Sequence, residues 1–132
     1  MIYLDTAALI KLVRREAATD ALVSWLDERS DQPLVASTLV EIEVPRALRR
    51  SEPGLLGAVP AVLRRLAVYE VDDLVRSTAA GYQDPYLRSL DTIHLATASA
   101  VFGPRLSAFV TYDKRLLAAA EEFALPAIAP GA

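Results

Sequence analysis

Short runs of consecutive apolar residues alternate along this chain with longer stretches in which apolar positions recur at helical spacing. Ile2-Tyr3-Leu4 is the first run and stops at Asp5, after which Ala8, Leu9, Leu12 and Val13 mark one helix face that turns charged at Arg14, Arg15 and Glu16. A second helix is predicted from Thr19 to Glu28, with Leu22, Val23, Trp25 and Leu26 apolar, and it ends in the polar stretch Arg29 to Pro33. Leu34-Val35-Ala36 reads as a buried strand. Ser37 or Thr38 then caps a helix through about Arg50, and Ser51-Glu52-Pro53-Gly54 breaks it. Helix resumes from Ala58 to Leu66, followed by a strand over Ala67 to Val71, a helix from Asp72 to Tyr82 and a turn at Asp84-Pro85. Ser89 to Phe102 is apolar almost all round, which predicts a helix buried on several sides and ended by Gly103-Pro104. Ala108 to Thr111 reads as a strand, Asp113 to Phe123 as a helix, and Ala127-Ile128 as a last short strand.

Strands that are apolar on both faces must be covered on both faces, and alternation with helices supplies that cover. The expected fold is therefore a three-layer α/β/α sandwich around a central parallel sheet of four to five strands. No repeat or linker interrupts the pattern, and 132 residues suit a single domain over residues 1–132.

Composition narrows the class. The chain is 53% hydrophobic and 23% charged, far from the profile of disordered chains. It has no apolar run of the roughly 18 residues needed to cross a bilayer and no secretory leader pattern, so the expected partners exclude a membrane and the expected compartment is the cytoplasm. With no cysteine there are no disulfides, thiolate metal sites or cysteine nucleophiles. A formal net charge of -3 excludes a protein that coats nucleic acid non-specifically. Arginines nevertheless cluster at Arg14-Arg15, Arg46 with Arg49-Arg50, and Arg64-Arg65, giving local positive surfaces on an acidic body.

In open parallel sheets, ligands bind beyond the carboxyl ends of the strands. Asp5 follows the first strand directly, Asp113 follows the strand ending at Thr111, and Glu43 lies on the helix after the strand ending at Ala36. Asp91 sits in the first turn of the near-apolar helix, where an ionised group otherwise lacks a reason. Carboxylates brought together there suit hard cations such as Mg2+ and Mn2+, which take oxygen ligands and promote in-line displacement at a phosphodiester. Each acid also has a structural reading: Asp5 and Asp113 as helix N-caps, Asp91 as a complement to the helix dipole. Glu41 fits a capping box with Thr38 and is assigned to structure. Glu43, roughly 200 degrees away around the helix, is assigned to the site. His94, the only histidine, shares a helix face with Asp91; it either bonds that carboxylate or sits in the core, and the core is the expectation.

Four segments in order then carry a resemblance. They are Ile2-Tyr3-Leu4-Asp5-Thr6 with Ala8-Leu9-Ile10-Lys11-Leu12; Ser37-Thr38-Leu39 with Glu43 and Arg46-Ala47-Leu48-Arg49; Leu90-Asp91-Thr92-Ile93-His94-Leu95-Ala96-Thr97-Ala98; and Val110-Thr111-Tyr112-Asp113-Lys114-Arg115-Leu116. In these the chain resembles the PIN-domain ribonuclease family over essentially its whole length, and within it the VapC toxins. The resemblance implies Asp5, Glu43, Asp91 and Asp113 as the metal-binding, catalytic acids, with Thr6 and Thr111 as supporting hydroxyls. It also implies Mg2+ or Mn2+ as cofactor, RNA as substrate, a homodimer, and inhibition by a cognate VapB-like antitoxin. Pro45 departs from expectation, since a proline within the helix of Glu43 removes a backbone hydrogen bond and puts that side chain's aim in question. Lys11, Arg46, Lys114 and Arg115 are candidates for holding RNA through its phosphates. Trp25 and Leu26, near Leu22 and Val23, are candidates for an apolar groove that takes a partner helix, although core packing is the expected fate of at least two of them.

The rival from another class is a catalytically inactive PIN-like binding or interaction module. A receiver domain or an aspartate-nucleophile phosphatase does not fit, because Ala7 stands where the latter needs a second aspartate. No glycine-rich phosphate loop is present either.

Overall fold

Side chains that alternate along each strand decide how the layers form. In the computed structural model, which describes all of residues 1–132, Ile2 and Leu4 of β1 (Ile2–Leu4) point into one core while Tyr3 points into the other. The same alternation separates Ala108 and Val110 from Phe109 in β4 (Ala108–Val110), and Ala36 from Val35 in β2 (Leu34–Ser37). Edge strands β3 (Leu66–Tyr69) and β5 (Ala127–Ile128) complete a five-stranded sheet of order β3-β2-β1-β4-β5, parallel throughout. Leu4 stands opposite Val110, so β1 and β4 end level with each other.

Helices cover both faces, as strands apolar on both sides require. On the first face α1 (Thr6–Val13), α2 (Thr19–Asp27), α3 (Val40–Ser51) and α4 (Val59–Leu63) bury Ala8, Leu9, Leu22, Leu26, Val40, Val44, Leu48 and Val59. On the second face, α6 (Ser89–Ala96) and α7 (Lys114–Glu122) bury Leu95, Leu116, Ala119 and Ala120. They close on Tyr3 and Phe109, whose rings stack at 5.1 Å. Before α6, α5 (Asp73–Gly81) packs mainly against it and is capped by the Asp72 carboxylate.

This connectivity creates a crevice. After β1 the chain builds β2 and β3 on one side; after β3 it crosses back and lays β4 on the other side of β1. The helices that follow β1 and β4 therefore depart toward opposite faces, and a gap opens between their first turns, where this class of sheet receives ligands.

Several local expectations change, among them the third strand, which runs Leu66–Tyr69 rather than Ala67 to Val71, and the helix before it, which stops at Leu63 rather than Leu66. The helix expected over Ser89 to Phe102 keeps α-helical form only to Ala96 and widens into π-helical turns over Thr97–Phe102. Thr97 Oγ1 donates to the Ile93 carbonyl and Ser99 Oγ to the Leu95 carbonyl, side-chain bonds that compete with the helical ladder where it loosens. The capping box does not form: α3 starts at Val40, Ser37 Oγ accepts the Leu39 amide, and only the backbones of Thr38 and Glu41 are bonded, which leaves the Glu41 side chain in solvent. On α2, core packing takes two of the four apolar residues, as expected, and leaves Val23 exposed. Leu22 and Leu26 are buried, and the Arg29 guanidinium lies 4.2 Å over the Trp25 ring.

Candidate active site

Asp5 and Asp113 are each the N-cap of the helix that follows their strand. Asp5 Oδ1 accepts the Ala8 amide at 2.9 Å, and Asp113 Oδ1 accepts those of Arg115 and Leu116 at 2.9 and 3.2 Å. Because capping occupies Oδ1 in both, Oδ2 is left for other work. The structural reading of these two acids holds, and it does not exclude the site reading.

The crevice between β1 and β4 is a cleft of about 360 Å³ into which all four predicted acids, Asp5, Glu43, Asp91 and Asp113, project. Thr6, at the start of α1, donates to Glu43 Oε1 at 2.6 Å. Thr111 donates to Asp5 Oδ2 and also accepts the Asp113 amide at 3.1 Å, tying the two cap acids together. Both hydroxyls expected to steer an acid thus stand against one. Pro45 lies within a continuous α3, and the carbonyl it leaves without a helical donor belongs to exposed Glu41. Glu43 keeps its aim into the cleft.

Two residues that sequence reasoning did not assign to the site are central to it. Arg88, just before α6, extends along the cleft mouth: Nε meets Asp91 Oδ2 at 3.0 Å and Nη2 meets Asp113 Oδ2 at 3.1 Å. Its place three residues before Asp91 was the available signal. His94 is buried, as expected for a core position, yet it does not touch Asp91. Its Nε2 lies 2.9 Å from Glu43 Oε1 and its Nδ1 lies 2.8 Å from the Tyr3 hydroxyl. The helix face that His94 shares with Asp91 leads into the cleft, and Glu43 arrives there from the opposite wall.

Burial dominates the electrostatics of Asp5. The residue is 3% exposed, and desolvation pushes its carboxyl up to about 6, partly offset by the nearby His94 ring and by the Thr111 and Ala8 hydrogen bonds, while Asp113 pushes it further up. Burial also raises Glu43, but hydrogen bonds from His94 and Thr6 outweigh it and hold that carboxyl below its ordinary value. One wall of the cleft thus holds an acid that resists ionisation and the other an acid that favours it.

No three of these side chains close around a single point as a ready-made cation cage. The donor set still suits a hard divalent ion: it is all oxygen, and an Mg2+ site commonly uses one or two carboxylates with water and substrate oxygens completing the shell. Arg88 also already places a cation between Asp91 and Asp113, so the pair draws positive charge.

The candidate RNA contacts divide. Lys11 turns away from the cleft into a 2.5 Å pair with Glu16, with its ammonium 4.6 Å from the centre of the Tyr112 ring. Arg46 is exposed on α3, one turn beyond Glu43, while Lys114 and Arg115 are exposed at the start of α7. Arg115 lines a shallow groove with Asp84, Tyr86 and Leu87.

Comparison with known proteins finds relatives of this chain. Residues 2–122 match the family described as PIN domain. Ribonuclease VapC35 of Mycobacterium tuberculosis is 52% identical over 132 residues, spanning 99% of this chain and 98% of the relative. Ribonuclease VapC46 of the same species is 40% identical over 129 residues, 98% of this chain and 97% of its own length, and Ribonuclease VapC47 is 38% identical over 135 residues, covering 100% and 98%.

Proposed function

The chain belongs to the PIN domain family, and from that premise we propose that it is a metal-dependent endoribonuclease, the toxin of a toxin and antitoxin pair. The relatives that span almost its whole length are named as VapC ribonucleases. The observation that carries the reading is the convergence of Asp5, Glu43, Asp91 and Asp113, from four distant segments, on one cleft at the crossover point of the sheet.

In this reading the four acids hold one or two Mg2+ or Mn2+ ions. When bound, the ion supplies Lewis acidity that activates water and offsets charge at the scissile phosphodiester of RNA. The chain's own residues do the rest. Thr111 and the Ala8 amide fix Asp5, Thr6 and His94 fix Glu43, and the α7 amides fix Asp113, so the acids are oriented before substrate arrives. Ionised Asp5 is costly in this buried position, and divalent charge favours the ionised form. Arg46, Lys114 and Arg115, exposed and without an ion pair, supply positive charge for the RNA backbone. Arg88 borders both the acids and the open face of the cleft. The cytoplasm as compartment, a cognate VapB-like antitoxin and a homodimer complete the proposal by family resemblance; no helix is long and apolar enough to cross a membrane.

The test is incubation of purified protein with total cellular RNA in Mn2+, in Mg2+ and in EDTA, alongside Asp91→Asn. Discrete fragments that require metal and vanish in the variant support the reading. RNA left whole in both metals favours the inactive binding module.

A further inference from the structure

His94 is 3% exposed and Tyr3 is fully buried, yet both carry polar atoms whose bonds run in one line toward the cleft. The Tyr3 hydroxyl stands 2.8 Å from His94 Nδ1, His94 Nε2 stands 2.9 Å from Glu43 Oε1, and Thr6 donates to the same Oε1 at 2.6 Å. Oε1 of Glu43 is therefore doubly engaged, and Oε2 has no protein partner.

The direction of each bond follows from what is available. The phenol's hydrogen goes to Nδ1, its partner at 2.8 Å; the Ser37 backbone N–H and the Thr97 hydroxyl also lie near the phenolic oxygen, and Thr97 gives its own hydrogen to the Ile93 carbonyl at 2.7 Å. An imidazole that accepts at Nδ1 carries its hydrogen on Nε2, and Nε2 then donates to the Glu43 carboxylate. Burial and the charge of Asp5 push the Tyr3 phenol well above its ordinary value, in keeping with a hydroxyl that donates. The rings are held as well as bonded: Tyr3 stacks on Phe109 at 5.1 Å and meets His94 edge-on at 5.9 Å.

We propose that Tyr3 and His94 are a buried positioning pair, in which the Tyr3 hydroxyl fixes the His94 tautomer and His94 in turn locks Glu43 Oε1, so that Oε2 is presented to the cleft. The pair touches neither substrate nor the reacting atoms. It acts through Glu43, and its effect on cation binding rests on the metal-dependent reading above. Outer partners of metal-binding groups are typically worth 10-fold to 100-fold in affinity. A single hydroxyl two bonds removed from the carboxylate sits at the lower end, roughly tenfold.

Having only one histidine makes the test direct. Nitrogen NMR of the uniformly labelled, metal-free full chain at neutral pH should show a pyrrole-type Nε2 and a pyridine-type Nδ1. Tyr3→Phe keeps the ring packing and should lose that single-tautomer pattern. Mn2+ affinity, read from calorimetric titration, should then fall roughly tenfold while the metal-free melting temperature moves by only a few degrees. A hydrogen on Nδ1 in the wild type overturns the proposal, as does a Tyr3→Phe protein with unchanged Mn2+ affinity beside a wild type that binds. Should the wild type not bind Mn2+ at all, the metal-dependent reading falls, and the nitrogen pattern alone decides whether the pair is arranged as described.

Discussion

Replacing Asp5 by asparagine removes a charge from the most enclosed carboxyl of the cleft while leaving its shape. Burial raises the Asp5 carboxyl from 3.8 to about 6 in the folded chain. Its folded-state value lies above its unfolded one, so the stabilising contribution is fully present below pH 3.8 and is lost as pH rises through about 6. At pH 7 the ionised group costs the fold about 3 kcal/mol, from a shift of about two units at 1.36 kcal/mol each. Asparagine avoids that cost and caps α1 as well as aspartate does, but it exchanges the Thr111 hydrogen bond for a weaker one at a loss of about 1 kcal/mol. The net expectation is a gain of about 2 kcal/mol, or roughly 7 °C in melting temperature for a chain of this size. Thermal melts of both proteins in EDTA between pH 4 and pH 8 measure it. The advantage should be small at pH 4, grow through about pH 6 and then level off, while RNA cleavage is abolished. An Asp5→Asn protein no more stable than wild type at pH 7, or a difference that does not vary with pH, refutes the argument that burial sets the character of this group.

Other substitutions separate the roles of the remaining side chains. Asp113→Asn should keep the fold within about 1 kcal/mol, because asparagine still caps α7, yet lose RNA cleavage; Asp113→Ala should lose cleavage and about 1 kcal/mol more in urea melts. Thr111→Val, which removes the hydroxyl from both cap acids, should cost about 1 to 2 kcal/mol and move the pH dependence of stability upward, since Asp5 loses a bond that lowers it. Arg88→Gln should leave the metal-free melting temperature nearly unchanged, because the Arg88 side chain that makes both ion pairs is 57% exposed, and should lower the Mn2+ concentration that stabilises the protein, because the rival cation is gone. Glu41→Ala should alter neither stability nor cleavage measurably, whereas Glu43→Gln should suppress cleavage.

The sheet was legible because parallel strands buried on both faces leave short uninterrupted apolar runs, and Ile2-Tyr3-Leu4 and Ala108-Phe109-Val110 could be read as nothing else once helices flanked them. Asp5 was legible for a related reason: a charged residue directly after a buried strand stands where the chain must turn into a helix. The rest was hidden by partners that only folding brings together. Nothing around His94 in the sequence announces Tyr3, 91 positions away, or Glu43, 51 positions away. Arg88 has no apolar run or strand end to mark it in the sequence, and only the fold brings Asp113, 25 positions away, to its guanidinium. The failed capping box shows the converse: Thr38 and Glu41 have the correct spacing, but the strand-to-helix turn uses Ser37 instead and delays the helix to Val40. The π-helical turns after Ala96 depend on Thr97 and Ser99 choosing backbone acceptors, a choice that apolar periodicity does not register.

The sharing of labour between the two oxygens of each cap aspartate has an evolutionary consequence. Since an amide serves the helix as well as a carboxylate does, a one-atom exchange at Asp5 or Asp113 leaves architecture and outer surface as they were. On the proposed mechanism, a lineage under pressure from such a nuclease has a short route to a harmless decoy that remains fully folded.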